Sequence, residues 1–279
     1  MTLNDIRSLL GEHSIQLTKS LGQCFLHDEG VVEKIANLGE AGEGDRILEV
    51  GPGLGPLTEV LLARGAKVMA VELDQRLVEV LKGRFAGQEN LELIHDDAMV
   101  RVVELVPNWN GWKMVANLPY SIGSPLLVEL ARPGFGPDSM AVTLQKEVVD
   151  RMKAPSGRKS YGVLTVLLNV SYEVGDSFVI PPGCFFPEPA IDSACVRLVR
   201  RAEPLVSPEL FPLFRRLVKL GFSQRRKMMM KLLKQDWPAD VLSGAFEAVG
   251  LDERIRAEAV PVETFVKMAE YLAERKAAR

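Results

Sequence analysis

Arg46-Ile-Leu-Glu-Val-Gly-Pro-Gly-Leu-Gly-Pro-Leu-Thr58 decides the fold of this chain. A run of branched apolar residues breaks into closely spaced glycines and resumes with helical spacing over Leu57–Arg64. The apolar run reads as a buried strand, and glycine permits the backbone angles and close ligand approach that a strand-to-helix turn at a binding site needs. The glycines stand at 51, 53 and 55, and position 56 is proline. A dinucleotide fingerprint would put its third glycine at 56, so NAD is disfavoured. Glu49, an acid near the strand end, suits a cationic or amine-bearing ligand better than a pyrophosphate. A plain tight turn is the other reading of the same residues.

Outward from this turn, Lys67-Val-Met-Ala-Val-Glu72, Leu91-Glu-Leu-Ile-His95, Lys113-Met-Val-Ala116 and Met140-Ala-Val-Thr-Leu144 read as further buried strands. Gln75–Phe85 and Pro125–Ala131 carry helical spacing between them. Such alternation predicts parallel strands with crossover helices, an α/β doubly wound sheet. The later apolar runs Gly162–Val170 and Ala194–Val199 are expected to add an antiparallel pair at the sheet edge. From Pro204 the pattern turns helical, over Leu210–Leu220, Lys227–Gln235, Ala239–Ala248 and Val262–Lys276. The expected division is therefore a catalytic domain over 1–203 and a small all-helical domain over 204–279.

Composition agrees with a globular protein. The chain has 279 residues, 47% hydrophobic and 25% charged, which excludes a collagen, a disordered tail and a disulfide scaffold. Cys24, Cys184 and Cys195 form no CxxC pair, so neither a zinc site nor a disulfide framework is indicated, and a reducing cytoplasm suits them. His13, His27 and His95 have no metal or triad spacing and read as structural. The longest apolar run is far short of the roughly 20 residues of a membrane span, and no secretory leader is visible, so no membrane partner is expected. Net charge is −3, yet Ile191–Asp240 holds 11 Lys and Arg against 5 Asp and Glu. A cationic segment of this kind suits a phosphate backbone, although a solvated helix face has the same composition.

Three further positions carry chemistry. Glu72 ends the second strand, where a carboxylate can take both ribose hydroxyls of an adenosine. Asp96-Asp97-Ala98 follows the third, where a carboxylate can accept from an adenine amino group or simply cap a helix. Asn117-Leu-Pro-Tyr120 follows the fourth and is the most specific signal. The exocyclic amine of adenine is a poor nucleophile because its lone pair is delocalised into the ring. Acceptors at the Asn117 side chain and the Leu118 carbonyl would localise that pair on nitrogen. Tyr120 offers a flat face to a flipped-out base, and Pro119 stiffens the turn.

In order, these motifs resemble the KsgA family of ribosomal RNA adenine dimethyltransferases, and the resemblance runs nearly end to end. Lys19-Ser-Leu-Gly-Gln-Cys-Phe-Leu26, the glycine turn, Val71-Glu-Leu-Asp74, Asp97-Ala98 and Asn117-Leu-Pro-Tyr-Ser-Ile-Gly-Ser-Pro125 match successive family motifs. Gln145-Lys-Glu-Val-Val-Asp-Arg151, Tyr161-Gly162, Cys184-Phe-Phe-Pro-Glu-Pro-Ala-Ile-Asp-Ser193 and Gly221-Phe-Ser-Gln-Arg-Arg-Lys227 complete the series. The resemblance implies a Rossmann-like class I S-adenosylmethionine-dependent methyltransferase sheet with a C-terminal helical RNA-binding domain.

It also implies S-adenosylmethionine as methyl donor, without metal, held by Cys24, Leu26, Gly51, Gly53, Gly55, Glu72, Asp97 and Asn117. Asn117, Leu118, Pro119, Tyr120 and Phe185 would carry the chemistry, Phe185 packing against the target base opposite Tyr120. Its other reading is a core phenylalanine anchoring its loop. Arg215, Arg216, Lys219, Arg225, Arg226 and Lys227 would face RNA, with Arg215 aligned with Lys219 on one helix and Lys227 with Lys231 and Lys234 on another. The implied reaction dimethylates N6 of two adjacent adenosines in the 3′-terminal hairpin loop of 16S ribosomal RNA, within the small ribosomal subunit, by a cytoplasmic monomer. An Erm-type methylase of 23S ribosomal RNA and a non-catalytic ribosome-assembly factor are the alternatives. Two positions depart from the family pattern: Cys24, where Asn or His is usual, and Ala190, where a basic residue is usual. The Cys24 departure weakens cofactor binding if the contact runs through the side chain and changes nothing if it runs through the backbone.

Overall fold

β-branched and leucine-rich runs separated by turn residues fold into a seven-stranded sheet in the computed structural model, which describes residues 1–17, 23–104 and 108–277. Its strands are β2 (Arg46–Val50), β3 (Lys67–Glu72), β4 (Leu91–His95), β5 (Trp112–Asn117), β6 (Ser139–Gln145), β7 (Tyr172–Ile180) and β9 (Ser193–Arg200). A two-stranded sheet joins β1 (Phe25–Leu26) to β8 (Phe185–Phe186). The helices are α1 (Leu3–Glu12), α2 (Glu29–Leu38), α3 (Pro56–Ala63), α4 (Gln75–Arg84), α5 (Ala98–Glu104) and α6 (Gly123–Leu130). They continue with α7 (Lys146–Met152), α8 (Val163–Asn169), α9 (Phe211–Gly221), α10 (Met229–Leu233), α11 (Ala239–Ala248) and α12 (Val262–Ala277).

The sheet runs β4-β3-β2-β5-β6-β9-β7. Strands β2 to β6 pair in parallel, and β9 pairs antiparallel with β6 from Gln145↔Ser193 to Ser139↔Val199. Ile47, Leu48, Met114, Val115 and Val142 are each fully enclosed. At about 1.5–3 kcal/mol for each such side chain, this seam holds the centre of the sheet together. The chain winds outward to β3 and β4 on one side of β2 and to β5 and β6 on the other. The C-terminal ends of β2 and β5 therefore flank the topological switch point, where open α/β sheets bind ligands.

One expected strand is a helix. Gly162–Val170 forms α8: the Gly162 N–H donates to Thr165 Oγ1 at 3.2 Å, whose hydroxyl donates to the Arg151 carbonyl. Val166, Leu167 and Leu168 are all buried, so burial on several faces outweighs the β-branched composition. The partner of β9 at the edge is instead β7, whose middle residues are mostly exposed.

The chain divides into two compact units. One contains residues 1–130, 135–149 and 174–200; the other contains 131–134, 150–173 and 201–279. The second is thus larger than the expected 204–279, because α8 clusters with the C-terminal helices. Inside it the Tyr161 hydroxyl donates to the Val260 carbonyl at 2.8 Å, and its ring lies 6.0 Å from that of Phe222.

Candidate active site

The turn after β2 is shaped by the backbone. Gly51 and Gly53 have φ of +69° and +63°, a region that side chains disfavour. A Cβ on Gly51 would meet the Pro119 ring at 2.9 Å, and one on Gly53 the Phe25 ring at 2.9 Å. The Gly51 N–H donates to the Val71 carbonyl and the Gly53 N–H to Glu72 Oε2, at 2.9 and 3.1 Å, tying this turn to the end of β3. A cleft of about 1060 Å³, its open mouth included, lies above this end of the sheet. Gly51, Gly53, Glu49, Glu72, Asp97 and Asn117 line it, together with Cys24, Leu26, Leu118, Pro119 and Tyr120. Gly55 does not; it starts α3 with φ +82° and abuts Phe85.

Glu72 is 7% exposed, and its Oε1 accepts the Asp74 N–H at 3.0 Å. Burial pushes its carboxyl upward against the pull of these backbone donors. Asp97 caps α5, with its Oδ1 accepting the Met99 N–H at 2.8 Å, and lines the cleft as well. Capping and pocket-lining therefore coexist in one side chain.

Asn117 ends β5 with its amide held on one side only. Its Nδ2 donates to the Cys24 carbonyl at 3.2 Å, while its Oδ1 is buried with no hydrogen-bond partner among the described residues. The Cys24 atom engaged here is thus backbone, and burial raises its thiol pKa. The Leu118 N–H donates to the Thr143 carbonyl at 3.2 Å, and the Pro119 carbonyl accepts from Ile122 and Gly123 as α6 begins. The Tyr120 hydroxyl lies 2.6 Å from Ser193 Oγ, a fully buried group on β9. Ser193 is a site residue that sequence reading passed over, since only the β6–β9 pairing brings it here. Asp96, the other carboxylate of the Asp96-Asp97 pair, lines the cleft too, and so do Gln23 and Leu73, which were not singled out as ligand contacts.

Phe185 is 1% exposed and packs with Leu26, Ile35 and Cys195. It takes the core position that was the other reading of this residue and is absent from the cleft wall. Its neighbour Phe186 is half-buried, with the Arg7 guanidinium 5.5 Å from its ring centre. Lys19–Gly22 of the N-terminal motif lie outside the described residues.

In the second unit, Arg216 pairs with Asp236 and lies over the Trp237 ring. Arg225 pairs with Glu258 at 3.1 Å and donates to the Lys159 carbonyl. Arg215 is half-buried, and Lys219, Arg226 and Lys227 are exposed. Lys227 lies ahead of α10, so the expected helical row with Lys231 and Lys234 does not form.

A mixed sheet, parallel from β2 to β6, with its ligand cleft at the switch point, a glycine turn and a strand-ending acid mark a class I S-adenosylmethionine-dependent methyltransferase. The model of the family described as "Ribosomal RNA adenine dimethylase" matches residues 15–274, and the chain belongs to that family. Ribosomal RNA small subunit methyltransferase A of Clostridium perfringens is 36% identical over 95% of both chains. The protein of that name in Geobacter sulfurreducens is 39% identical over 92% of this chain and 96% of its own. Among solved structures, a dimethyladenosine transferase from Plasmodium falciparum has a TM-score of 0.75 at 24% identity, covering 90% of this chain and 98% of its own. The 23S rRNA methyltransferase ErmE has a TM-score of 0.66 at 25% identity, covering 89% and 99%.

Proposed function

We propose that this protein uses S-adenosylmethionine to dimethylate N6 of two adjacent adenosines in the 3′-terminal hairpin loop of 16S ribosomal RNA. The observation that carries the reading is the buried Oδ1 of Asn117 beside the cleft, unpartnered among the described residues. A buried acceptor left without a donor costs about 1–3 kcal/mol, and a donor on the substrate removes that cost. The adenine amine is such a donor.

The cleft residues fit the methyl donor: Gly51 and Gly53 leave room for close backbone approach, Glu72 meets ribose hydroxyls, and Asp97 accepts from the adenine amine of the cofactor. Leu26 and Cys24 close the wall. When bound, this group supplies an electrophilic methyl carbon on a sulfonium. Asn117 Oδ1 and the Leu118 carbonyl take the two amine hydrogens of the target base and localise its lone pair on nitrogen. The Tyr120 ring stacks on the flipped base, and Pro119 keeps the turn rigid. Alignment and preorganised acceptors supply the rate, with water taking the released proton.

The names of the curated relatives support the small subunit over the Erm-type substrate, and the intact cleft supports an enzyme over an assembly factor. No helix among the described residues is long and apolar enough to cross a membrane. The reading places a monomer in the cytoplasm, with methyl transfer in the unit that carries the sheet and RNA contacts from the C-terminal helices. Lys219, Arg226 and Lys227 are the foremost candidates for those contacts, because Arg216 and Arg225 already hold carboxylates.

The test is methylation of under-methylated small subunits with labelled cofactor, followed by mapping of the product. Label on two adjacent dimethyladenosines near the 3′ end is the expected result; label elsewhere in the subunit, or none there while large subunits offered in parallel are labelled on 23S RNA, overturns it.

A further inference from the structure

Glu49 is used by none of the contacts above, although it lines the same cleft. It lies in β2 between Leu48 and Val50 and is 1% exposed. The Thr58 hydroxyl donates to its Oε2 at 2.7 Å. Glu72 is differently placed, since backbone N–H groups of Gly53 and Asp74 point at its two oxygens. The other titratable groups lining the cleft are Glu72 from β3, Asp96 and Asp97 after β4, Cys24 before β1 and Tyr120 after β5. Among the described residues, no Lys, Arg or His lines it. An ionised Glu49 would therefore be buried beside carboxylates without a compensating cation on the cleft wall.

The two ligands that this cleft must tell apart differ by one charge. The methyl donor carries a sulfonium, an ammonium and a carboxylate, for a net +1; the thioether product has lost the sulfonium charge and is neutral overall. We propose that Glu49 is protonated in the cofactor-free protein and releases its proton to solvent when the cationic donor binds, so that the cleft separates donor from product by charge. This inference rests on the cofactor assignment above.

Burial, opposed by the Thr58 hydrogen bond and reinforced by the charge of Glu72, pushes the Glu49 carboxyl up to about 8. At pH 7 the cofactor-free side chain is thus mostly neutral. A bound cation favours its charged form and draws the proton off. Donor affinity then rises up to about tenfold per pH unit below pH 8 and levels off above it, by proton linkage. Burial also raises Cys24 and Tyr120 from already high values, so both stay neutral in this window.

The experiment is isothermal calorimetry of S-adenosylmethionine and of S-adenosylhomocysteine with the full chain at pH 7, in phosphate and in Tris. Their buffer ionisation enthalpies differ, so the difference in measured heat counts protons. Donor binding should release close to one proton more than product binding; both ligands carry an ammonium and a carboxylate, which the comparison cancels. Glu49→Gln should abolish the excess release and shrink the donor-over-product preference at pH 8.5 by about tenfold or more, the scale of one lost charge–charge contact. Thr58→Val keeps the carboxylate but removes its donor and should move the midpoint of the donor's pH profile upward. That profile in the unsubstituted chain tests the inference even if Glu49→Gln fails to fold. Equal proton counts for the two ligands, or an unchanged preference in a folded Glu49→Gln protein, would overturn it. Absence of donor binding at every pH would instead overturn the cofactor assignment.

Discussion

After β2 the chain turns on backbone conformation, and after β5 it turns on side chains. At Gly51 and Gly53 the positive φ angles set the path of the turn, Pro119 and Phe25 fill the space a Cβ would take, and the turn's own N–H groups find partners in Val71 and Glu72. At Asn117–Tyr120 the side chains are aimed by Cys24 and Ser193, and one acceptor is left over. The first turn is satisfied as it stands; the second awaits a donor. A binding surface can be complete before its ligand arrives, whereas a catalytic one keeps an interaction in reserve for the transition state.

Five substitutions probe this contrast. The largest effect is expected from Asn117→Ala, which should lower methyl transfer at saturating cofactor by about 10²–10³-fold, as loss of a preorganised electrostatic contact does elsewhere. RNA affinity, measured by filter binding, should change much less. Equal losses in both would reduce Asn117 to a substrate-positioning residue and erase the distinction between the turns.

Glu72→Ala should weaken cofactor binding by about 1.5–3 kcal/mol in calorimetry, the range for hydrogen bonds to a charged group. Unchanged affinity in a folded protein would remove the ribose assignment. Gly51→Ala should destabilise the fold by about 1–3 kcal/mol in urea denaturation, from the positive φ and the Pro119 contact together. A neutral result would show that the turn after β2 can shift at little cost.

The smallest effects belong to the Tyr120–Ser193 pair. Tyr120→Phe and Ser193→Ala should each cost about 0.5–1.5 kcal/mol, as for a neutral hydrogen bond. The loss should be seen as a changed signal from 2-aminopurine placed at the target adenosine. Because both substitutions delete the same bond, the double variant should be little worse than either single one. Additive losses would break that link.

The parallel half of the sheet was legible because each strand there is a branched apolar run bounded by turn residues, and Glu72 and Asn117 each end one. The edge was not. In α8, Val163, Thr165 and Val166 carry strand-like composition, and the helix depends on packing that no local rule reports. In β7, Glu173, Asp176 and Ser177 break up the apolar pattern because that surface is exposed. Ser193 lay inside a quoted motif, yet its contact with Tyr120 needs the β6–β9 register, which is a property of the topology. Phe185 shows the reverse: the motif was visible, but its burial depends on Leu26, its partner across the β1–β8 pairing. The basic segment was legible as charge, while the carboxylates at Asp236 and Glu258 that hold two of its arginines were not.

The short pairing of β1 with β8 has a consequence for how the molecule is made. Leu26 meets Phe185 across about 160 residues of chain, and the Cys24 carbonyl that holds Asn117 belongs to the same segment. During synthesis the glycine turn leaves the ribosome early, but the wall opposite it cannot form until β8 has emerged. Closing so long a loop is entropically slow, which makes the finished cleft a late product of folding. A small molecule that binds only the finished cleft therefore shifts the folding equilibrium of this unit toward the folded state by mass action.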